Sequence, residues 1–414
     1  MGQWLGRGFS MYSETFDYTG PIAAFVYKWL DTFFGRSQFL HYASSTVIIT
    51  IQAGIFNSFL LKNKIYNESS YLPAFLYMIV AASIPDFMAL SPQLMSLTFI
   101  LPTLGNVLRR INNQVTDELF LSSGIYLGIA TMCYLPAVVY FPVFLFSFIL
   151  FSNVILRRLL LYLFGFLMVF IICLIYFYWL DTHRVFLEYF LLDGLFMSAV
   201  SPISFEESLI LVSPFAFIFL LSIIKTWMSA RFTSFQQKAQ QVLWLTLLGG
   251  VVTFLLSNEK SIHELIFCVP IICYFWTHYF ILLRRWIFRV TMPVLLVLGL
   301  PVFSCFTYIR SVAPLTISST NVFHEGTMLL GEKIEVYSTV AINTPCFNEK
   351  ITEKAFEGIN YYASASRIYE IFIKIDPSYI VDELGIMDQL EFRYPHLADH
   401  YQKVNSNIYR KISH

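Results

Sequence analysis

Long apolar runs broken by short polar turns fill the first three quarters of the chain, and most runs have the length of a bilayer-crossing helix. A crossing needs roughly 20 apolar residues, somewhat fewer where polar ends reach the interface. Ten runs fit that length, at 40–61, 71–88, 91–108, 120–139, 141–156, 159–180, 207–225, 241–257, 263–283 and 290–308. Two junctions between them are very tight, marked by Pro85 and Pro92 at 85–92 and by Pro142 at 139–142. Ahead of the first run, IAAFVYKWLDTFF (22–34) gathers Ile22, Phe25, Val26, Trp29, Leu30 and Phe33 into one broad stripe, with Lys28 and Asp31 to the other side. That pattern predicts a helix lying flat at the lipid boundary.

After residue 308 the pattern changes. KIEVYS (333–338), PSYIVDEL (377–384) and NIYRKI (407–412) read as strands. EGINYYASASRIYEIFIKI (357–375) reads as an amphipathic helix and YPHLADHYQKV (394–404) as a short one. The expected fold is an all-α polytopic membrane protein of about ten transmembrane helices with a small C-terminal α/β domain. Its parts are an external loop with an interfacial helix (1–39), the transmembrane helices (40–308) and the α/β domain (309–414).

Charge orients these elements. With the N-terminus outside, the inner loops carry twelve Lys and Arg, and the outer loops between spans carry only Arg184 and Lys260. This positive-inside bias places residues 1–39, 181–206 and the C-terminal domain on the non-cytoplasmic side, which in a bacterial inner membrane is the periplasm. A soluble domain could not hide a composition that is 57% hydrophobic and 13% charged. Zero formal net charge gives a nucleic-acid partner no electrostatic support. Five of the six cysteines lie in apolar runs, and no CxxC or His/Cys spacing occurs, so neither a disulfide framework nor a metal is expected. No cofactor is expected either. MGQWLGRGFSMYSETFDYTG has no run of about 7–15 apolar residues, so the first span is expected to direct insertion. The intramembrane polar residues are Gln52, Asn57, Asn106 and His278, without an acidic relay, which argues against a proton-coupled pump.

YTGPIAAFVYKWLDTFFGRSQFLHYASS (18–45), just after Asp17, resembles the first periplasmic loop of the C-type integral-membrane glycosyltransferases, which use polyprenyl-phosphate sugar donors. An acid precedes a Gly-Pro turn, an interfacial helix follows, and FG-x-S leads into a span. SSGIYLGIATMCYLPAVVY (122–140) resembles a later span of that superfamily. More narrowly, 70–101, 133–146 and the tail NTPCFNE…DPSYIVDE…YRK resemble a family of polytopic inner-membrane proteins of the Bacteroidota, whose motifs mark the family and carry no activity of their own. In two respects the chain departs from the superfamily pattern. Asp17 stands singly rather than in an Asp-Glu pair, and about 16 residues precede it where a span is usual, so either that helix is lost or it lies ahead of Met1.

The resemblance implies an enzyme that moves a sugar from a polyprenyl-phosphate donor to a cell-envelope acceptor. Such transfer needs a carboxylate to deprotonate or orient the acceptor hydroxyl, and donors or cations to offset charge on the departing phosphate. Asp17 is the candidate carboxylate, with Glu14 as substitute. His183 and Arg184 in DTHR (181–184), Lys260, His263 and Asp86 are the candidates for the lipid phosphate or substrate. Each has a plainer reading. The acids can be solvated loop residues, Arg184 can pair with Asp181 or Glu188, Lys260 can pair with Glu259 or Glu264, and Asp86 can cap the next helix. The alternative function is a non-catalytic membrane component of an envelope assembly, secretion or gliding machine.

Overall fold

The computed structural model describes residues 1–15, 17–35, 37–66, 68–112, 116–152, 155–196, 205–229, 232–257, 261–283, 291, 293, 296–307, 309, 327–330, 362–382, 385–405 and 407–412. Its helices follow the apolar runs closely. A short α1 (Gly2–Gly6) packs on α2 (Pro21–Phe34), which begins at the Gly20-Pro21 turn. The bundle continues with α3 (Gln38–Lys62), α4 (Leu72–Ser83), α5 (Pro92–Ile111), α6 (Asp117–Cys133), α7 (Tyr140–Ser152) and α8 (Leu156–Trp179). Short α9 (His183–Phe186) runs through a π-helical stretch, Leu187–Asp193, into α10 (Gly194–Phe196). Next come α11 (Phe205–Ser229), α12 (Ser234–Leu256) and α13 (Val269–Ile281), and an apolar helix spans Leu296–Thr307.

Among the described residues, five helices are long and apolar enough to cross a membrane: Phe39–Lys62, Leu156–Trp179, Ser208–Met228, Ser234–Leu256 and Ile262–Ile281. Leu72–Ser83, Leu135–Phe151 and Leu296–Thr307 are apolar but shorter. The chain is a multi-pass membrane protein. Leu160, Phe164, Leu167, Ile171 and Ile175 of α8 are exposed, as a lipid-facing helix requires.

Glycine brings α6 and α8 together. A Cβ on Gly124 would lie 2.1 Å from the Tyr162 carbonyl oxygen, and one on Gly165 would lie 2.5 Å from that of Leu121, so the two backbones meet where no larger residue fits. Polar pins join other helices. Gln52 Nε2 donates to the Leu94 carbonyl at 2.7 Å and to Thr98 Oγ1 at 2.8 Å, while its Oε1 accepts from the Tyr77 hydroxyl at 2.8 Å. Asn106 Nδ2 donates to Ser122 and Ser123 at 3.1 Å each. Both polar residues hold α5 against its neighbours.

Three sequence expectations are corrected. The stripe of α2 divides: Leu30 is buried with Ile22 and Val26 packed beside it, while Phe25 (66% exposed), Trp29 and Phe33 (67%) turn outward. Half of that face serves the core and half is exposed. The turn after α6 falls at Leu135–Val139, a 3-10 segment around Pro136, rather than at Pro142, which sits in the first turn of α7. The 394–404 stretch is helical only over Pro395–His400, and Tyr401–Asn405 is a strand because Ile408–Lys411 pairs with it.

Among the described residues, the C-terminal region forms a four-stranded sheet with β1 (Thr327–Leu330), β2 (Tyr379–Asp382), β3 (Tyr401–Asn405) and β4 (Ile408–Lys411) in the order β1-β2-β4-β3. β1 and β2 are parallel, so a crossover joins them, and helix Tyr362–Ile375 lies within it. β4 pairs antiparallel with both β2 and β3, with Ile380 opposite Tyr409. The expected KIEVYS strand (333–338) lies outside the described residues. A second apolar cluster joins this sheet, through Met328, Ile380 and Tyr409, to Tyr12 and to Phe177, Phe186 and Phe190 of the bundle.

Candidate functional site

The loop between α1 and α2 is tied down at both ends. Tyr12 is fully buried at φ 65°, a left-handed conformation uncommon for a bulky residue, with its ring against Phe177 (5.6 Å), Phe186 (5.8 Å) and Phe190 (6.5 Å). Its hydroxyl donates to the Thr19 carbonyl at 2.7 Å. Burial, followed by the nearby Asp17 charge, pushes the Tyr12 phenol well above its ordinary pKa, which keeps it a donor. Asp17 Oδ1 accepts from the Tyr18 backbone N–H at 2.8 Å and Oδ2 from the Thr19 hydroxyl at 2.6 Å. These bonds orient the half-buried carboxylate. At Gly20 the loop rests on the carbonyl end of α6. An added Cβ there would lie 2.3 Å from the Met132 oxygen and 2.4 Å from that of Cys133.

Beneath this loop is a cavity of about 350 Å³. Its walls are 17–20, Tyr27 of α2, 89–93, 134–136, Gly194, Ser257, His263 and Glu264. Tyr27 spans one side and donates to the Leu90 carbonyl at 2.9 Å. Ser91 caps α5 by accepting from the Leu94 N–H at 3.2 Å, so the positive end of a 20-residue helix, with Pro92 and Gln93, faces the cavity.

Glu264 is the most connected group in this wall. It is 0% exposed, at the start of the 3-10 segment Ile262–Cys268 that leads into α13. Its Oε1 accepts from Ser257 Oγ at 2.7 Å, from Gln93 Nε2 at 3.0 Å and from the Tyr134 hydroxyl. The donors come from the end of α12, the start of α5 and the end of α6, so one carboxylate gathers three helix ends. A buried carboxyl group is tolerated where donors converge on it in this way.

Of the seven residues singled out in the sequence, the cavity brings together Asp17 and His263. His263 Nδ1 is buried without a hydrogen-bond partner among the described residues. Glu14 is turned away, with its two oxygens each 2.9 Å from Lys374 Nζ on helix Tyr362–Ile375. Asp86 lies in the 3-10 turn Pro85–Met88, where its carbonyl accepts from Ala89; it precedes the cavity wall without lining it, and Ser91 is the cap of α5 in its place. His183 packs on Tyr178 with ring centroids 5.2 Å apart, and Arg184 is exposed; neither lines the cavity. Lys260 lies outside the described residues. Sequence reasoning missed Glu264 as a site residue, along with Gln93, Tyr134 and Ser257. A signal for Glu264 was present: an acid opening an apolar span demands partners. Nothing in the sequence said that they would come from three distant helices.

No family model matches the chain, and no curated protein does. The solved structures that it resembles in fold include AglB and ArnT. AglB, an archaeal oligosaccharyltransferase from Archaeoglobus fulgidus in complex with an inhibitory peptide and a dolichol-phosphate, aligns at 10% identity and a TM-score of 0.43, over 96% of this chain and 68% of that one. ArnT from Cupriavidus metallidurans, in a crystal structure bound to undecaprenyl phosphate, aligns at 11% identity over 100% of this chain and 92% of that one. With a TM-score of 0.57, the fold described here is similar to that of ArnT along its whole length.

Proposed function

We propose that the chain is a C-type glycosyltransferase that moves a sugar from a polyprenyl-phosphate donor to a cell-envelope acceptor at the periplasmic face of a bacterial inner membrane. The observation that carries this reading is the meeting of two carboxylates, Asp17 and Glu264, in one cavity built from helix ends. The likeness to ArnT supports it, since that protein was crystallised with undecaprenyl phosphate. Sidedness has its own support. The cavity-lining residues 17–20, 89–93, 134–136, Gly194, Ser257, His263 and Glu264 all fall in outer segments or toward the outer ends of spans in the ten-span topology.

In this reading the acceptor hydroxyl loses its proton to Asp17 as its oxygen bonds to the anomeric carbon, and the bond from that carbon to the donor phosphate breaks. Two bonds to its own loop fix the plane of the Asp17 carboxyl, and a carboxylate has about four acceptor positions in all. Glu264 supplies a fixed negative charge that offsets positive charge gathering on the sugar ring. The departing phosphate is met by the positive end of α5 and by His263. No Lys or Arg lines the cavity among the described residues, so the helix end has the larger share of that task.

Asp17→Asn and Glu264→Gln test the proposal in cells or vesicles containing the polyprenyl-phosphate sugar pool, with glycan products followed by mass spectrometry. Each variant is expected to lower transfer by about 100-fold or more at unchanged protein level. Undiminished product from both would leave a membrane scaffold without catalysis.

A further inference from the structure

A larger cavity, of about 800 Å³, lies between α3, α5 and α6 at the end of the bundle away from Asp17. From Pro92, beside the first cavity, to Arg109, in the wall of this one, α5 runs 17 residues, or about 25 Å. That distance approaches the roughly 30 Å thickness of a hydrocarbon core, so the two cavities open toward opposite membrane surfaces.

Lys62, the last residue of α3, and Arg109, in the last turn of α5, are both exposed and stand at headgroup depth. Asn63 lies beside them. It is 1% exposed, and its Nδ2 donates to the Phe59 carbonyl at 2.8 Å, while its buried Oδ1 has no partner among the described residues. Farther in, Ile55, Phe59 and Pro102 share the lining with Ser58, Asn106 and Tyr126. Gly54 closes the far end, eight residues or about 12 Å from Lys62, and a Cβ placed there meets nothing within 4 Å.

A cationic mouth, an unanswered acceptor and a partly apolar trough reaching about 12 Å along α3 match a lipid with a phosphate and a hydroxyl in its headgroup. A free anion would use the mouth and leave the trough unfilled. We infer that this groove binds one anionic phospholipid of the phosphatidylglycerol class, with its phosphate between Lys62 and Arg109, a headgroup hydroxyl donating to Asn63 Oδ1, and an acyl chain along Ile55, Phe59 and Pro102. The site does not touch the Asp17 cavity, so its test is independent of the proposed transferase activity.

The test is native mass spectrometry of the detergent-solubilised full chain given dioleoyl phosphatidylglycerol or dioleoyl phosphatidylcholine. The wild type is expected to retain one phosphatidylglycerol in preference to phosphatidylcholine. Two variants remove the site by different routes: Lys62→Ala with Arg109→Ala takes away the charges, and Gly54→Leu fills the trough while keeping them. Each is expected to lower phosphatidylglycerol retention at least tenfold, with phosphatidylcholine adducts unchanged as the control for folding. Millimolar glycerol 3-phosphate is expected not to displace the lipid. Wild-type retention by Gly54→Leu would overturn the groove, as would displacement by glycerol 3-phosphate. Equal retention by all three proteins would overturn the site altogether.

Discussion

Replacing Glu264 by Ala removes one acceptor from three donors at once. Gln93, Ser257 and Tyr134 are 5%, 4% and 9% exposed, so none has bulk water as an immediate substitute. Leaving a buried donor unsatisfied costs about 1–3 kcal/mol, which puts the sum for the three at about 3–9 kcal/mol. Water entering from the adjoining 350 Å³ cavity brings the cost to the lower end, about 3 kcal/mol. Glu264→Gln keeps a carbonyl oxygen in the same place. Its weaker neutral bonds are offset by the removal of a buried charge, so its stability is expected to stay close to wild type. The assay is thermal unfolding in detergent, read by a thiol-reactive dye at the buried Cys133, Cys268 and Cys273. Glu264→Ala is expected to melt several degrees lower and Glu264→Gln near the wild type, while both lose sugar transfer. An Ala variant that melts with the wild type would refute the reasoning, because three helix ends would then not depend on this carboxylate.

Other outcomes follow from the same geometry. Gly20→Ala puts a methyl 2.3 Å from the Met132 carbonyl oxygen, and reaching even a 3.0 Å contact forces the loop back by about 0.7 Å. Displacing Asp17 on that scale is expected to lower transfer by up to about 100-fold with helix content unchanged, and a wild-type rate would count against the loop-to-α6 contact as a determinant. Lys374→Glu breaks the clasp formed with Glu14 and the Gly8 carbonyl; hydrogen exchange in residues 8–20 is expected to rise and to be restored by the swap Glu14→Lys with Lys374→Glu. That pair is 38% and 24% exposed, so its global effect should stay within about 1 kcal/mol. In the C-terminal sheet, hydrogen bonds from Tyr409 and then Lys403 hold the Asp388 carboxyl below its ordinary range. A depressed carboxylate contributes stability above its unfolded pKa, near 3.9, and loses it as pH falls through the lower folded value. Protection of β3 and β4 relative to the intrinsic exchange rate should therefore fall below about pH 4 in the wild type, and Asp388→Asn should flatten that dependence.

Local pattern reaches a long way in this chain. Run length and the Pro and Gly punctuation located α3, α5 and α8 closely, because each helix satisfies its own backbone hydrogen bonds, whereas α4, α6 and α7 stop short of the expected runs where 3-10 turns or the next loop begin. Asp17 was legible as a site candidate because the Gly20-Pro21 turn and α2 behind it are local features, and the strand of β4 was legible from NIYRKI. What required the tertiary structure was convergence. Glu264 is an isolated acid in the sequence and becomes part of a site only when α5, α6 and α12 bring Gln93, Tyr134 and Ser257 to it. The same holds for Glu14, which reads as a catalytic substitute beside Asp17 and is taken instead by Lys374 from the far end of the chain. Tyr401–Asn405 became a strand through its pairing with β4. Covalent neighbours decide helices and turns, whereas the partners of a buried carboxyl group are decided by packing between segments far apart in the chain, which no local pattern records.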